Sequence, residues 1–457
     1  MLIGRILAVL LGLCFGIAAL LLPPIKVLVL IFALIMLLMV MRKPLYGLVL
    51  FAFLATSIPY TTVQIGIRTT ISEAVLAVTW LGVFWHALIG QMNNRLRWHP
   101  AESSMSHLFL YSVVPLIYGM LMISAEGSSV ANWLRWILNL SVFLLVPLVL
   151  RTPEDRDKVI VAFLSGSLLM LIVSVGYFLK DRDANTFIPL LKALKYSHPE
   201  AVVDIFSANY QRMASPWVHP NLTGGILALT IPLSLLYGWT RCGWRRFLGL
   251  SVAVLGCAGL LFSISRGAIL ALLLVLFWLS YKRVPYSGRI IGIGAVFAVL
   301  LVMFYPPLQE RLMSVFSATN ASTEIRFDEY LLFPQAMANY PLGIGFKVDP
   351  PVPGSGLLGI SNLWLNVIYK IGLPGMLLFL VLIIRWWREV KPENKVSKIT
   401  HENAIWIGCV SGVLAALFTG LFDHYYSFTF VIIALFWLLA GISLQQARLF
   451  PKETVNK

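Results

Sequence analysis

Residues 306–375 read PPLQERLMSVFSATNASTEIRFDEYLLFPQAMANYPLGIGFKVDPPVPGSGLLGISNLWLNVIYKIGLPG, and this is the longest polar interruption in a chain of apolar runs. Apolar runs of membrane length flank it on both sides. A segment of this length within a compact protein is usually either functional or disordered. Because it contains amphipathic pieces, aromatic residues and paired charges, the sequence predicts a large and partly helical loop.

The composition of the chain indicates a membrane protein. Of 457 residues, 59% are hydrophobic and 12% are charged, and the mean hydropathy is +0.84. Soluble domains carry about 25% charged residues, whereas a run of ~20 apolar residues crosses the hydrocarbon core as a helix. Such runs recur from end to end, so the sequence predicts an all-α polytopic integral membrane protein, a single membrane domain over residues 1–457 with about 12–14 transmembrane helices. The scattered cysteines show no metal-ligand spacing and are expected to be packing residues.

The distribution of lysine and arginine predicts the topology. Placing the N-terminus in the cytoplasm puts most of the 35 basic residues in cytoplasmic loops, as the positive-inside rule requires. Both termini are then cytoplasmic, and the long polar intervals at residues 181–218 and 306–372 are extracytoplasmic. The net charge of +15 therefore reflects membrane topology and requires no nucleic-acid partner.

A first chemical pattern, RMASPWVHPN, occupies residues 212–221 and leads into an apolar run. Pro220 suits the first turn of a helix, where no backbone donor is lost. His219 and Asn221 would then lie at the mouth of that helix, with Arg212 close by. An ordinary loop arginine beside a capping cluster is the alternative.

A second pattern is Ser263-Ile-Ser265-Arg266-Gly267, which separates two apolar runs with almost no loop. A tight turn there would hold Arg266 at the level of the outer headgroups. An arginine at membrane depth usually has a function, although one at a helix end can also extend its charged group to the interface.

A third set of patterns lies in the large loop. Arg326, Glu329 and Tyr330 fall within one turn if that stretch is helical, which also fits a surface helix with ion pairs. The sequence PLGIG at residues 341–345 and the pair Ser361-Asn362 follow, and then Gly372.

In this order, the three patterns resemble the O-antigen ligase and polymerase family of bacterial envelope glycan enzymes. That family has an arginine shortly before Pro-Asn, a Ser-Arg-Gly between two helices, a Pro-x-Gly-x-Gly in a large outer loop, and a His-Asn pair shortly before a glycine. The resemblance covers residues 198–375 in detail and the rest by topology.

The resemblance implies a membrane glycosyltransferase of the O-antigen ligase or polymerase type. It would move an oligosaccharide from a polyprenyl (undecaprenyl) diphosphate carrier onto an acceptor glycan or glycolipid at the outer face of the bacterial cytoplasmic membrane. The product would be O-antigen, exopolysaccharide or cell-wall polysaccharide. The partners would be this donor, the acceptor, the lipid bilayer and possible chain-length regulators or other polysaccharide-assembly proteins. No cofactor is expected, and we predict a metal-independent reaction because the three patterns above contain no clustered metal-ligand set.

Cleavage of the sugar–phosphate bond develops negative charge on the diphosphate, which fixed arginines can stabilise with two-pronged hydrogen bonds. We therefore predict a catalytic set and a substrate-binding set: Arg212, Arg266 and Asn362, and His219, Asn221, Ser265, Arg326, Lys347 and Trp364. Aromatic side chains that could stack on sugars are Trp217, Tyr330, Phe346 and Trp364.

One position departs from the family pattern. Ser361 stands where the family has a histidine that is thought to help to activate the acceptor hydroxyl, and a serine of ordinary pKa is no general base near neutral pH. We predict that Ser361 is not the base and that Asn362 and the following helix position the acceptor. Candidate replacements at the outer face are His219, Glu324, Asp328, Asp423 and His424.

A flippase or transporter of lipid-linked oligosaccharides is the alternative function. Such a protein should show two similar halves and short outer loops. The first half has no repeat of the Arg212 or Arg266 patterns, which favours glycosyl transfer. The identity of the glycan and acceptor, and the choice between ligase and polymerase, stay open.

Overall fold

The computed structural model describes a bundle of α-helices with one short β-hairpin. It describes residues 12, 16, 23–65, 67–91, 98–123, 128–206, 212–304, 321–347, 352, 354–357, 359–392, 396 and 398–449. The predicted all-α polytopic fold is confirmed. The first predicted span, residues 4–22, and the start of the large loop, residues 306–320, lie almost entirely outside these described residues.

In the first half of the chain, helices alternate with short turns. The elements are α1 (Pro24–Arg42), α2 (Pro44–Ser57), the hairpin of β1 (Thr62–Ile65) and β2 (Ile67–Thr70), α3 (Ile71–Leu88), α4 (Pro100–Tyr111), α5 (Val113–Met122), α6 (Ser128–Leu140), α7 (Val142–Val149) and α8 (Pro153–Asp181). The two strands are antiparallel.

The second half contains both long polar intervals. Its elements are a 3-10 turn (Ala184–Phe187), α9 (Ile188–Ala193), α10 (Ala201–Phe206), α11 (Pro220–Thr240), α12 (Gly243–Ser263), α13 (Arg266–Tyr281), α14 (Ser287–Phe304), α15 (Ala321–Asn339), α16 (Leu363–Val390), α17 (Asn403–Thr419), α18 (Tyr425–Phe428) and α19 (Ile432–Ala447).

Helix length agrees with membrane insertion. Within the described residues, seven spans are long and apolar enough to cross a membrane: α3, α4 with α5, α6 with α7, α8, α11, α12 and α16. Shorter apolar helices are α2, α13, α17 and α19. A helix rises ~1.5 Å per residue, so the 14 residues of α2 extend over less than the ~30 Å hydrocarbon core.

Helix α11 lies at the centre of the bundle and is the most buried of the long spans. Glycines allow its neighbours to approach closely: a Cβ added to Gly238 would lie 2.6 Å from the backbone nitrogen of Leu250 in α12. A Cβ on Gly412 of α17 would lie 2.2 Å from the carbonyl oxygen of Leu229. Such small-residue contacts are how helices pack within a bilayer, and they fix the start of α11 next to the ends of α12 and α17.

The glycine-rich segment at residues 341–345 binds the kink in α16. Gly372 interrupts this helix with a positive φ of 73°. Ile344 N donates to Tyr369 O at 2.8 Å, and Gly345 N donates to Lys370 O at 3.0 Å. Leu373 N donates in turn to Pro341 O at 3.2 Å. Backbone groups freed by a kink need new partners, so this segment anchors the large loop to α16 through its backbone.

Both long loops lie at the same end of the bundle, because Arg326 of the large loop lies near Asp423 and near His219, which follows the first loop. At that end Thr62 Oγ1 donates to Lys195 O at 2.7 Å, which joins the hairpin to the first long loop. At the opposite end, Arg448 forms ion pairs with Glu102 at 2.7 Å and Glu389 at 2.8 Å. The predicted topology requires this arrangement of the loops. The assignment of the loop end to the outside stays a prediction.

Cysteine labelling tests that assignment. In a cysteine-free protein, Asn185→Cys should react with a membrane-impermeant maleimide added to intact cells, and Glu154→Cys should react only after lysis. Both side chains are exposed and lie at opposite ends of α8. Protection of Asn185→Cys together with labelling of Glu154→Cys in intact cells would reverse the topology.

Candidate functional site

The first motif forms a polar cluster at the start of α11. His219 caps the helix, since its Nδ1 accepts a hydrogen bond from Asn221 N at 3.1 Å, and Pro220 occupies the first turn as predicted. Arg212 donates from Nη2 to Asn221 Oδ1 at 2.5 Å and from Nε to Ser263 O at 2.7 Å. The fold therefore joins the first motif directly to the end of α12.

The second motif is the predicted tight turn. Helix α12 ends at Ser263, Ile264 takes a left-handed conformation with φ of 51°, and Ser265 precedes α13. Arg266 is the first residue of α13. The turn is packed closely, because a Cβ added to Gly224 in α11 would lie 2.3 Å from Ser265 Cβ.

A third segment, the turn between α17 and α18, lies against this motif. A Cβ on Gly267 would lie 2.9 Å from Phe422 Cβ, so Arg266 begins its helix beside the Phe422–Tyr425 turn. Within the turn, the buried Asp423 carboxylate accepts hydrogen bonds from the Tyr425 hydroxyl and from His424 N. The turn thus carries an acid, a histidine and a tyrosine next to the arginine motifs.

Asp423 joins the turn to the large loop. Arg326 Nη2 on α15 lies 3.9 Å from Asp423 Oδ2, and His424 Nδ1 lies 3.5 Å from Asp423 Oδ1. Burial raises the pKa of Asp423, although His424, Tyr425 and Arg326 act in the opposite direction. The Tyr425 side chain also lies close to Asn221, which places Asp423 beside the Arg212 cluster.

The electrostatic environment of this cluster favours an anion. The pKa of His219 is lowered to about 4, first by burial and then by the positive charges of Arg212, His424 and Arg326. Burial disfavours a charge of either sign, whereas the neighbouring positive charges favour an anion over a further cation. The cluster is therefore suited to binding phosphate or carboxylate groups.

The Ser361-Asn362 pair is fixed by contacts at the start of α16. Glu329 of α15 accepts hydrogen bonds from Ser361 N at 2.7 Å and from Ser361 Oγ at 3.1 Å. Asn362 Oδ1 caps α16 by accepting from Trp364 N, and its Nδ2 donates to Leu421 O at 3.0 Å. The Asn362 side chain thus fixes the segment that carries Asp423 and His424. It can position a reactant only indirectly, through that segment.

A family model matches a part of the chain that contains several of these site residues. Residues 251–380 match a family model described as O-antigen ligase. The predicted resemblance to this family is confirmed. No curated protein matches the chain.

The O-antigen ligase match includes the Ser265–Gly267 turn, the Arg326 helix, the glycine-rich segment and Ser361-Asn362. It supports glycan transfer of the O-antigen ligase type within a membrane. Arg212 and Asn221 lie before the matched residues and Asp423 lies after them, and the fold brings all three to the same cluster.

Other predicted residues lie apart from this cluster or fit their expected role poorly. Trp217 was predicted as a sugar-stacking face, and this was wrong: it is 0% exposed and packs edge-on against Tyr60 at 5.6 Å. Trp364 is half-buried and packs against Phe379. Lys347 lines a cavity that borders His424.

The candidate general bases lie in different parts of the protein. Glu324 and Asp328 are exposed on α15, whereas Asp423 and His424 are in contact with each other beside the arginines. Glu329, which sequence reasoning placed on the same helical turn as Arg326, is the acid that contacts Ser361. Ser361 follows Glu329 by 32 residues, and no local pattern indicates such a contact.

Among the residues that the structure describes, no three His, Cys, Asp or Glu side chains are grouped to hold a metal ion. This observation alone does not decide the role of metals in the reaction. Metal independence stays a prediction that rests on the sequence.

Proposed function

We propose that this protein transfers an oligosaccharide from a polyprenyl-diphosphate carrier to an acceptor glycan at the outer face of the bacterial cytoplasmic membrane, as a ligase or polymerase. The observation that carries the proposal is that Arg212 bonds to Asn221, Arg326 lies 3.9 Å from Asp423, and Arg266 begins its helix beside the Asp423 turn. A diphosphate attached to a lipid would enter such a site from the membrane surface, with its glycan on the solvent side.

The arginines would bind the leaving diphosphate. When the sugar–phosphate bond breaks, its electron pair stays on the diphosphate oxygen, and donors fixed in advance stabilise that charge most effectively. Arg212 is fixed in this way, because its guanidinium is hydrogen-bonded to Ser263 O and Asn221. Arginine presents a planar set of donors that matches two phosphate oxygens.

Helix ends add to this positive potential. Helices α11, α13 and α16 all begin at this end of the bundle, after His219, Ser265 and Asn362 respectively. The N-terminus of a helix carries a partial positive charge, which attracts anions.

His424 would activate the acceptor. Its Nδ1 faces the Asp423 carboxylate at 3.5 Å, and a carboxylate in this position orients an imidazole and stabilises its protonated form. Nε2 can then accept the proton of the acceptor hydroxyl while that oxygen bonds to the anomeric carbon. In this proposal the turn held by Asn362 supplies the histidine that is missing at Ser361.

A reconstituted transfer assay tests the proposed function. Protein in vesicles would receive a lipid-linked oligosaccharide and an acceptor, and new glycosidic bonds would be measured by mass spectrometry. Arg212→Lys and Arg266→Lys should each slow transfer by about 10²–10³-fold, because lysine keeps the charge but loses the forked donor geometry. Arg182→Lys is the matched control, since Arg182 is exposed at the same end of the bundle.

Near-full transfer by both arginine variants would show that the arginines only anchor the topology. Movement of the donor across the membrane without bond formation would identify a flippase and contradict the proposal.

The same assay separates the candidate bases. His424→Gln should slow transfer by about 10²-fold or more, whereas Ser361→Ala should cost less than about tenfold, because it removes one hydrogen bond of ~1 kcal/mol and leaves the Ser361 N–H bond to Glu329. Asn362→Ala should cost more than Ser361→Ala because it releases Leu421. A thousandfold loss in folded, donor-binding Ser361→Ala would instead assign the chemistry to the Ser361–Glu329 pair.

A further inference from the structure

A strained turn lies at the start of α19, shortly after His424 in the sequence. Val431 has φ of 70° and ψ of −53°, and Ile432 N donates to Phe430 O at 2.9 Å. These angles and this hydrogen bond define a γ-turn with positive φ, which is rare and strained. For a β-branched residue such as valine, positive φ is a clear outlier. Such a conformation persists only where its surroundings hold it in place, and it is concentrated at functional sites.

The side chain that holds this turn is Asn139 of α6. Its Oδ1 accepts a hydrogen bond from Val431 N at 3.1 Å, and its Nδ2 donates to Glu73 Oε1 at 2.9 Å. Arg135 donates to the same carboxylate from Nε at 3.0 Å and from Nη2 at 2.8 Å, and its guanidinium lies 3.9 Å from the centre of the Phe430 ring. Asn139, Glu73 and Val431 are each 0% exposed. Because a carboxylate accepts hydrogen bonds, Glu73 orients the amide so that its oxygen faces Val431.

The same helix contacts the residues that lead back to His424. Trp136 Nε1 donates to Ser427 O at 3.0 Å, and the Trp136 ring stacks on Phe428 at 5.5 Å. Ser427 donates in turn from its Oγ to His424 O at 2.5 Å. Trp136 and His424 also line the same cavity. Helix α6 therefore holds the segment between His424 and α19 at both of its ends.

We propose that Asn139 is a positioning residue for His424. By holding Val431 at positive φ, it fixes the path of the backbone between His424 and α19, and thereby the place of the imidazole next to the acceptor. Without this hydrogen bond, Val431 would relax to the negative φ that valine prefers, and the segment would shift. The inference rests on the proposed function, which assigns the base to His424. It adds a residue from the first half of the chain, outside residues 251–380 of the family match.

A kinetic rescue tests this role in the reconstituted transfer assay. Asn139→Ala should lower kcat per donor-binding site by about 10–10²-fold, because a small displacement of a catalytic group has an effect of this size. The donor-binding sites are counted by titration with polyprenyl diphosphate, so unfolded protein does not contribute. The Kd of this lipid should stay unchanged, because Arg212 is held by Ser263 and Asn221.

A second substitution, at the γ-turn, separates backbone strain from packing. Glycine adopts positive φ without steric cost, so Val431→Gly added to Asn139→Ala should raise kcat by about fivefold or more. Val431→Ala is the matched control: it also shortens the buried side chain but keeps the Cβ that opposes positive φ, and it should restore nothing. If Asn139→Ala does not fold, Asn139→Ser replaces it, since the shorter hydroxyl can donate to Glu73 but cannot reach Val431 N as well.

Equal kcat in the two double variants, or an unchanged kcat in Asn139→Ala, would overturn the proposal. Hydrogen exchange without substrate tests the structural premise separately. The amides of residues 427–432 should exchange faster in Asn139→Ala, while those of α8 keep their wild-type rates, and unchanged exchange at residues 427–432 would also overturn the proposal. A wild-type protein that forms no glycosidic bond would refute the proposed function and the role of His424, whereas faster exchange in the variant would still support the contact through which Asn139 holds this segment.

Discussion

The buried Asp423 carboxylate is the group on which the rest of the site depends. A carboxylate taken out of water must be hydrogen-bonded or paired, and here its partners come from its own turn and from α15. Through Tyr425 and Asn221 it also reaches Arg212 before α11. Because this buried acid requires hydrogen-bond and ion-pair partners, it holds together segments that are far apart in the sequence.

The same arrangement explains how a charged site persists at a membrane surface. Three helices begin there, and Arg212, Arg266 and Arg326 add full charges to their positive ends. The pKa of His219 is lowered first by burial and then by the charges of Arg212, His424 and Arg326. In the proposed function, the diphosphate of the donor would bind beside these arginines.

Local sequence patterns predicted the parts of this structure that depend on nearby residues. Pro220 at the first turn of α11, the tight turn at Ile264 and the helical turn shared by Arg326 and Glu329 follow from short-range geometry. Such patterns could not predict which side chains are buried, or which residues far apart in the sequence are in contact. Trp217 looked available for a sugar, but packing against Tyr60 from a distant segment buries it.

Other tertiary contacts were missed for the same reason. The Glu329–Ser361 contact and the link from Asp423 to Asn221 connect segments that only the folded bundle brings together. The glycine-rich segment looked chemical, yet its backbone satisfies the kink at Gly372. One signal for the Asp423 turn was present in the sequence: an acid, a histidine and two tyrosines between apolar runs.

The most direct test of the arginine cluster is whether it binds a diphosphate more tightly than a monophosphate. Purified protein in nanodiscs would be titrated with polyprenyl diphosphate and with polyprenyl monophosphate of the same chain length. The account predicts that the diphosphate binds about tenfold or more tightly, as one additional charge-assisted contact would give, and that Arg212→Lys and Arg266→Lys abolish this preference. Equal affinity for the two lipids, or a preference unchanged in both variants, would contradict the assignment of this cluster as the diphosphate site.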